Sequence, residues 1–118
     1  MALDLKATSE QFLDGISSAV TRTAKQGLDT IEGFSQRQVQ SLARQSALVA
    51  GMLEANMFTN AERDFHLEGL KDMATSFVDT LAQLITITIQ KVWNAVVKVI
   101  WNTINELAGT VLSIPKFG

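Results

Sequence analysis

Apolar residues recur at helical spacing in both halves of the chain. In the first half most steps between them are three, four or seven residues, which is the period of an amphipathic helix. These positions are Phe12, Ile16, Val20, Ala24, Leu28, Ile31, Val39, Leu42, Val49 and Leu53. The second half keeps this period from Leu70 to Leu84 and then becomes more densely apolar as far as Leu112. The pattern predicts an all-α protein with two long amphipathic arms.

The two arms are predicted to meet in a turn near residues 57–60. Asn56 tolerates the left-handed backbone conformation that closes helices, and Thr59 with Glu62 has the spacing of a capping box. A connection of this length makes the arms antiparallel. We therefore expect arm 1 over about residues 8–56 and arm 2 over about residues 60–113.

The outer ends of the arms carry their own signals. Thr8 with Gln11 also has capping-box spacing, so arm 1 is expected to start near Thr8, with Asp4 as a second candidate cap. Pro115, the single proline, is expected to end arm 2 and leave a tail over residues 114–118. We interpret residues 1–118 as one helical domain.

Two architectures fit these arms. If each arm is one continuous helix of about 50 residues, the molecule is a hairpin about 75 Å long. If each arm folds once more, the chain forms a compact four-helix bundle. Gly27 and Gly33 would break arm 1, but arm 2 has no glycine between Gly69 and Gly109, so we favour the hairpin. Residues 85–89 alternate isoleucine and threonine like a strand, although their helical flanks favour helix.

Residues 81–104 carry the widest apolar surface of the sequence. At about 100° per residue, apolar side chains fill roughly 200° of this helix. We expect this interaction face to consist of Leu81, Ile85, Ile89, Val92, Trp93, Val96, Val99, Ile100, Trp101 and Ile104. The opposite polar face carries Lys91, Asn94, Lys98 and Asn102.

The narrow apolar stripe of arm 1 cannot cover a face of this width, so a single hairpin would expose a large apolar patch. We expect self-association to a homo-oligomer to complete the bundle, with a protein partner or a lipid surface as alternatives. Lysine on the polar face with tryptophan at its border also suits a helix lying in a membrane interface. A transmembrane span is disfavoured because two lysines and three asparagines between residues 88 and 105 would be costly in hydrocarbon.

Charge and cysteine content narrow the functional classes. The chain of 118 residues has a net charge of −2, which gives no field that favours nucleic acid. It has no cysteine, which excludes disulfides and thiolate zinc sites. The N-terminus lacks the basic start and apolar run of a signal peptide. We therefore expect a cytoplasmic protein, either free or peripheral to a membrane.

No set of catalytic side chains can be assembled from this sequence. His66 is the single histidine, and although Glu62 precedes it by four residues, the paired Glu-x-x-His motifs of di-iron bundles are missing. A catalytic triad needs a base and an acid around one nucleophile, and the scattered glycines form no phosphate loop. Arg37 and Arg44 are interpreted as part of a solvated helix face.

These observations predict a non-enzymatic protein without cofactor or metal. We expect a structural or interaction protein that self-associates or docks in a larger assembly through the wide apolar face of its C-terminal helix. The alternative is a peripheral membrane or lipid-body-binding protein that forms an oligomeric membrane assembly.

Overall fold

Four α-helices make up most of the protein, which we describe from a computed structural model. The residues that the structure describes are 4–27, 31, 33, 36–85 and 87–116. The helices are α1 (Leu5–Ala24), α2 (Gln36–Glu54), α3 (Asn60–Leu84) and α4 (Ile89–Ala108). The described residues contain no β-strand. The all-α prediction is confirmed, and of the two predicted architectures the four-helix bundle is the one observed.

The helices pack side by side in alternating directions. Each helix contacts its neighbour in the sequence, α4 also contacts α1, and α2 meets α4 across the bundle. A hydrogen bond of 3.4 Å from Gln38 to Thr80 joins the start of α2 to the end of α3, as an antiparallel pair requires. The bundle measures 40 × 29 × 19 Å, so the continuous arms of about 75 Å that we favoured are not formed.

Arm 1 divides at the predicted glycine-containing segment. α1 ends at Ala24, and Lys25 adopts a left-handed conformation with φ 59° while its N–H donates to the carbonyl of Thr21. Gly33, with φ 83°, lies before the start of α2. Glycine adopts this conformation without the Cβ clash that penalises other residues, which suits a position between two antiparallel helices.

Arm 2 divides without a glycine. α3 ends at Leu84, and Ile85 is extended, with φ −125° and ψ 155°. Thr88 is also extended and caps α4 without a side-chain hydrogen bond. Residues branched at Cβ lose rotamer freedom in a helix and fit extended backbone well. The prediction that residues 85–89 are helical is therefore wrong except at Ile89, and Thr86 lies outside the described residues.

The connection between α2 and α3 has the predicted chemistry. The Thr59 hydroxyl accepts a hydrogen bond from the Glu62 N–H at 3.2 Å, and the Glu62 carboxylate accepts one from the Thr59 N–H at 3.0 Å. Asn56 takes the left-handed conformation, with φ 54°. Both the capping box and the helix-closing asparagine are confirmed.

The start of α1 differs from the first choice made from sequence. Asp4 is the cap, and its carboxylate accepts a hydrogen bond from the Lys6 N–H at 3.1 Å. Thr8 is buried within the first turns of α1, so the predicted start at Thr8 is wrong and the second candidate is correct. The cause is that the amphipathic pattern extends one turn further toward the N-terminus, to Leu5.

The end of α4 also comes earlier than expected. The helix stops at Ala108, and Gly109 follows in a left-handed conformation with φ 68°. Residues 110–116 are not helical, so the prediction that Pro115 ends arm 2 near residue 113 is wrong. A glycine at this position closes a helix more readily than a proline several residues downstream.

The segment after α4, residues 110–116, is held against the bundle by two side chains. The Asn105 amide oxygen accepts hydrogen bonds from the Thr110 hydroxyl at 2.8 Å and the Leu112 N–H at 2.9 Å. The Asn105 amide nitrogen donates to the Leu112 carbonyl at 3.0 Å. Further along, the indole N–H of Trp93 donates to the Pro115 carbonyl at 3.2 Å. The segment is thus a strap on the outside of the core.

One hydrophobic core runs through the bundle and takes side chains from every helix. Its largest fully buried members include Phe12, Ile16, Leu42, Leu70, Phe77, Leu81, Trp93, Ile100 and Ile104. The core is continuous from α1 to α4, so the four helices hold one another in place.

Candidate interaction surfaces

The apolar face predicted on arm 2 lies inside the bundle. Eight of its ten residues are at most 8% exposed, namely Leu81, Ile85, Val92, Trp93, Val96, Ile100, Trp101 and Ile104. Ile89 and Val99 are half-buried. Because α1, α2 and α3 all contact α4, three helices of the same chain provide the cover that we expected from a partner.

The predicted polar face of α4 lies at the surface. Lys91, Asn94, Lys98 and Asn102 are all exposed. The structure therefore separates the two predicted faces of this helix, with the apolar residues in the core and the four polar residues in solvent.

Most of the large apolar side chains that remain exposed are found toward one end of the bundle. At this end α1 begins, α2 connects to α3, and α4 gives way to the strap. In the described part of the chain they are Leu48, Met57, Phe65 and Val111, whereas Leu84 lies at the opposite end and Ile114 lies further along the strap, beside Pro115. Phe65 is 75% exposed and Met57 is 63% exposed, so this end presents an apolar surface that sequence reasoning did not identify.

The exposure of Phe65 could have been predicted from its position relative to the apolar stripe of α3. The core stripe of α3 includes Leu70, Ala74, Phe77 and Leu81. At 100° per residue, Phe65 lies about 140° around the helix from Leu70 and points away from that stripe. An aromatic residue off the apolar stripe of an amphipathic helix is a candidate contact residue.

His66 packs between two phenylalanines at the same end. Its ring stacks on Phe58 with the centroids 4.7 Å apart and meets Phe65 edge-on at 5.5 Å. These contacts join the α2–α3 connection to the first turns of α3. Among the described residues no three histidine, aspartate or glutamate side chains are grouped so that they could hold a metal ion. His66 therefore has a packing role in this structure.

The capping box sets the charge at the start of α3. The hydrogen bond from the Thr59 N–H, followed by the interaction with the Thr59 side chain, lowers the pKa of Glu62 below its ordinary value. The nearby His66 acts in the same direction. A negative charge in the first turn is also favoured by the helix dipole, so this carboxylate stabilises the start of α3 in its ionised form.

A surface groove runs between α1 and α2. Its inner section, of about 460 Å³, is lined by Leu5, Lys6, Ser9, Glu10, Gln40 and Arg44. Its outer section, of about 210 Å³, lies toward the apolar end and is lined by Leu5, Ala47, Leu48, Gly51, Met52, Ala55 and Met57. Leu5 lines both sections, so they lie next to each other along the two helices, and one section is charged while the other is apolar.

No family model, curated protein or solved structure matches this chain. In the described part of the chain, none of the helices is both long and apolar enough to cross a membrane. Functional inference therefore rests on the geometry of the bundle and its surfaces.

Proposed function

We propose that this protein is a non-enzymatic structural or interaction protein that self-associates or docks in a larger assembly through the apolar end of its bundle. The supporting observation is the exposure of Phe65 beside the α2–α3 connection. Aromatic side chains bury large areas and are enriched at interfaces. Phe65 has little contact with its own core, so its burial requires another molecule.

This location is favoured over the apolar face of α4 on energetic grounds. Fully burying one large apolar side chain is worth about 1.5–3 kcal/mol. Exposing the six buried residues of this face that lie on α4 would therefore cost as much as the whole stability of a typical domain, about 5–15 kcal/mol. Phe65 and Met57 are already exposed and need no opening of the bundle.

A second copy of the chain is the first partner that we propose. In a two-fold dimer the same surface meets itself, so its charges must be compatible with their own copies. The charged side chains within one helical turn of Phe65 on its own side of α3 are Glu62 and Glu68, so two copies would bring like charges near each other across the axis. Self-association through Phe65 is therefore expected to strengthen as added salt screens these carboxylates.

Contact with a membrane or lipid body is the alternative function. The same exposed Phe65 and Met57 could insert into the interfacial region of a lipid layer, where aromatic side chains are favoured. Glu62, Asp64 and Glu68 lie close to Phe65 in the sequence of α3, and their charges oppose binding to anionic lipids. The lipid alternative therefore predicts binding to neutral or zwitterionic surfaces.

Light scattering on a range of protein concentrations tests the proposal. We expect the wild type to have a molar mass above the 12.9 kDa of one chain, and Phe65→Ser to shift it toward the monomer. Leu84→Ser, at the opposite end, is the matched control and should keep the wild-type mass. A wild type that is monomeric at every concentration would contradict self-association. Co-sedimentation with phosphatidylcholine vesicles that is lost in Phe65→Ser would then support the lipid alternative.

A further inference from the structure

We propose that the groove between α1 and α2 binds a free fatty acid, with its carboxylate in the charged section and its hydrocarbon chain in the apolar section. This proposal goes beyond the assembly function and does not depend on it. The two surfaces share Leu48 and Met57 but otherwise use different residues.

The wall of the groove on α2 is one continuous helical stripe. Its lining positions are 40, 44, 47, 48, 51, 52 and 55, which form two neighbouring rows, 40–44–48–52 and 44–47–51–55, with the three- and four-residue steps that place side chains on one face. The opposite wall is the first two turns of α1, with Leu5 at the junction of the two sections. A narrow, straight strip of this kind suits a single extended chain.

The charged section carries an excess of positive charge. Lys6 on α1 and Arg44 on α2 line it from opposite walls, with Glu10 as the acidic residue of the lining. All three side chains are exposed, and neither cation forms a salt bridge within the part of the chain that the structure describes. Arginine binds a carboxylate with two parallel hydrogen bonds, so a carboxylate head would fit between the two cations.

The neutral residues of this section add hydrogen-bonding groups. The Ser9 hydroxyl and the Gln40 amide line the same space as the two cations. Both groups can donate to a carboxylate oxygen that the arginine leaves unoccupied. The section can therefore satisfy a negatively charged head group on more than one side.

The apolar section has open space beside Gly51, one of its lining residues. A Cβ built on Gly51 would meet no atom within 4 Å, although this glycine lies within α2. Leu48, Met52 and Met57 line the same section, and methionine adapts to ligands of varied shape. The sections of about 460 and 210 Å³ together fall within the ~300–1,000 Å³ that is usual for small-molecule sites.

The combination of a charged section and an apolar section distinguishes between classes of ligand. A free phosphate or a short carboxylate would use Lys6 and Arg44 but leave the apolar section empty. A neutral hydrocarbon would use the apolar section but leave the two cations unpaired. A single-chain molecule with an anionic head matches both sections at once, and a fatty acid is the simplest molecule of this class.

Calorimetric titration with dodecanoate below its micelle concentration tests this inference. We expect saturable binding of one molecule per chain, and a loss of affinity of about tenfold or more in Gly51→Leu, whose side chain would fill the groove. Gly69→Leu is the matched control, because a Cβ on this α3 glycine also meets nothing within 4 Å. It should bind dodecanoate like the wild type.

Two further titrations separate specific binding from adsorption. Arg44→Gln should weaken dodecanoate binding and reduce its dependence on salt, since it removes one ion pair with the head group. Dodecylammonium, which has the same chain and the opposite charge, should not bind. Absence of saturable binding to the wild type, equal affinity in Gly51→Leu, or equal binding of dodecylammonium would each overturn the proposal. Thermal unfolding of each variant confirms that it is folded, and Phe65 is unchanged in all of them.

Discussion

Alanine substitution at three glycines within helices should change the free energy of unfolding in different directions. It should lower this energy at Gly15 and raise it at Gly51 and Gly69. Gly15 on α1 faces α4, and a Cβ built there would lie 2.9 Å from Cγ1 of Val99. Gly51 on α2 and Gly69 on α3 have no atom within 4 Å of the same position. The three substitutions are chemically identical, so any difference between them reports the packing of α1 against α4.

The magnitude follows from two competing terms. Replacing glycine by alanine inside a helix stabilises by about 0.5–1 kcal/mol, because the unfolded chain loses conformational freedom. At Gly15 the added methyl group would be well inside the ~3.5–4.0 Å separation that carbon atoms prefer. Valine in a helix has one dominant rotamer, so Val99 cannot turn away at low cost. Overpacking of this kind costs about 1–3 kcal/mol and outweighs the gain.

We therefore expect Gly15→Ala to lower the free energy of unfolding by about 0.5–2 kcal/mol. Gly51→Ala and Gly69→Ala should raise it by about 0.5–1 kcal/mol. Urea denaturation followed by circular dichroism measures all three values, and each kcal/mol should shift the melting temperature by about 4 °C in a chain of this size.

A double-variant cycle with Val99→Ala tests the cause. Once the Val99 methyl groups are removed, Gly15→Ala should become neutral or stabilising, giving a coupling energy of about 1–2 kcal/mol. If Gly15→Ala stabilises the wild type as much as Gly69→Ala does, α1 and α4 do not approach as closely as the structure describes. The reasoning would then be refuted.

Two other predictions concern the strap and the capping box. Asn105→Ala removes three hydrogen bonds to residues 110–116 and should destabilise the protein by about 1–2 kcal/mol. Hydrogen exchange at the Leu112 amide should accelerate, whereas Asn102→Ala on the exposed face of α4 should change neither quantity. The pKa of Glu62 is lowered in the folded state, so its ionised form stabilises the protein. This stabilisation is fully present above the ordinary pKa near 4.5. It is lost as the pH falls through the lowered value. The difference in unfolding free energy between wild type and Glu62→Gln should therefore shrink on acidification, and a difference that does not vary with pH would contradict this.

Local signals in the sequence predicted the α2–α3 connection correctly. A capping box and a left-handed asparagine depend on residues within a few positions of one another, and both act before any distant contact forms. The start of α1 shows the limit of the same reasoning. Thr8 and Asp4 are both suitable caps, and the burial of Thr8 against the other helices favours the longer helix.

The division of arm 2 was harder to predict because two local preferences disagree there. The alternating isoleucines and threonines favour extended backbone, and the flanking periodicity favours helix. Continuing the helix would have kept α3 and α4 in line and prevented α4 from packing on α1 and α2. Tertiary packing therefore decides between the two preferences, as it commonly does when local propensities are weak.

The width of the α4 apolar face was predicted, but the source of its cover was not. In a simple hairpin the C-terminal helix has one neighbouring arm, which cannot cover a face of roughly 200°. Once each arm divides, α4 has three neighbouring helices, and a helix surrounded on most sides needs a wide apolar face. The apolar surface that we expected a partner to supply is therefore supplied by the other three helices of the same chain.

The apolar end of the bundle depends on contacts that no local pattern contains. Met57 lies in the α2–α3 connection, Phe65 lies one turn into α3, and Val111 lies in the strap after α4. Each residue alone is an ordinary exposed apolar side chain, and such residues are common on protein surfaces. They become a candidate interface only because the alternating directions of the four helices bring the α2–α3 connection and the strap to the same end of the bundle. The function that we propose for this end thus depends on topology, which is why substituting Phe65, and not the apolar face of α4, is the informative test of assembly.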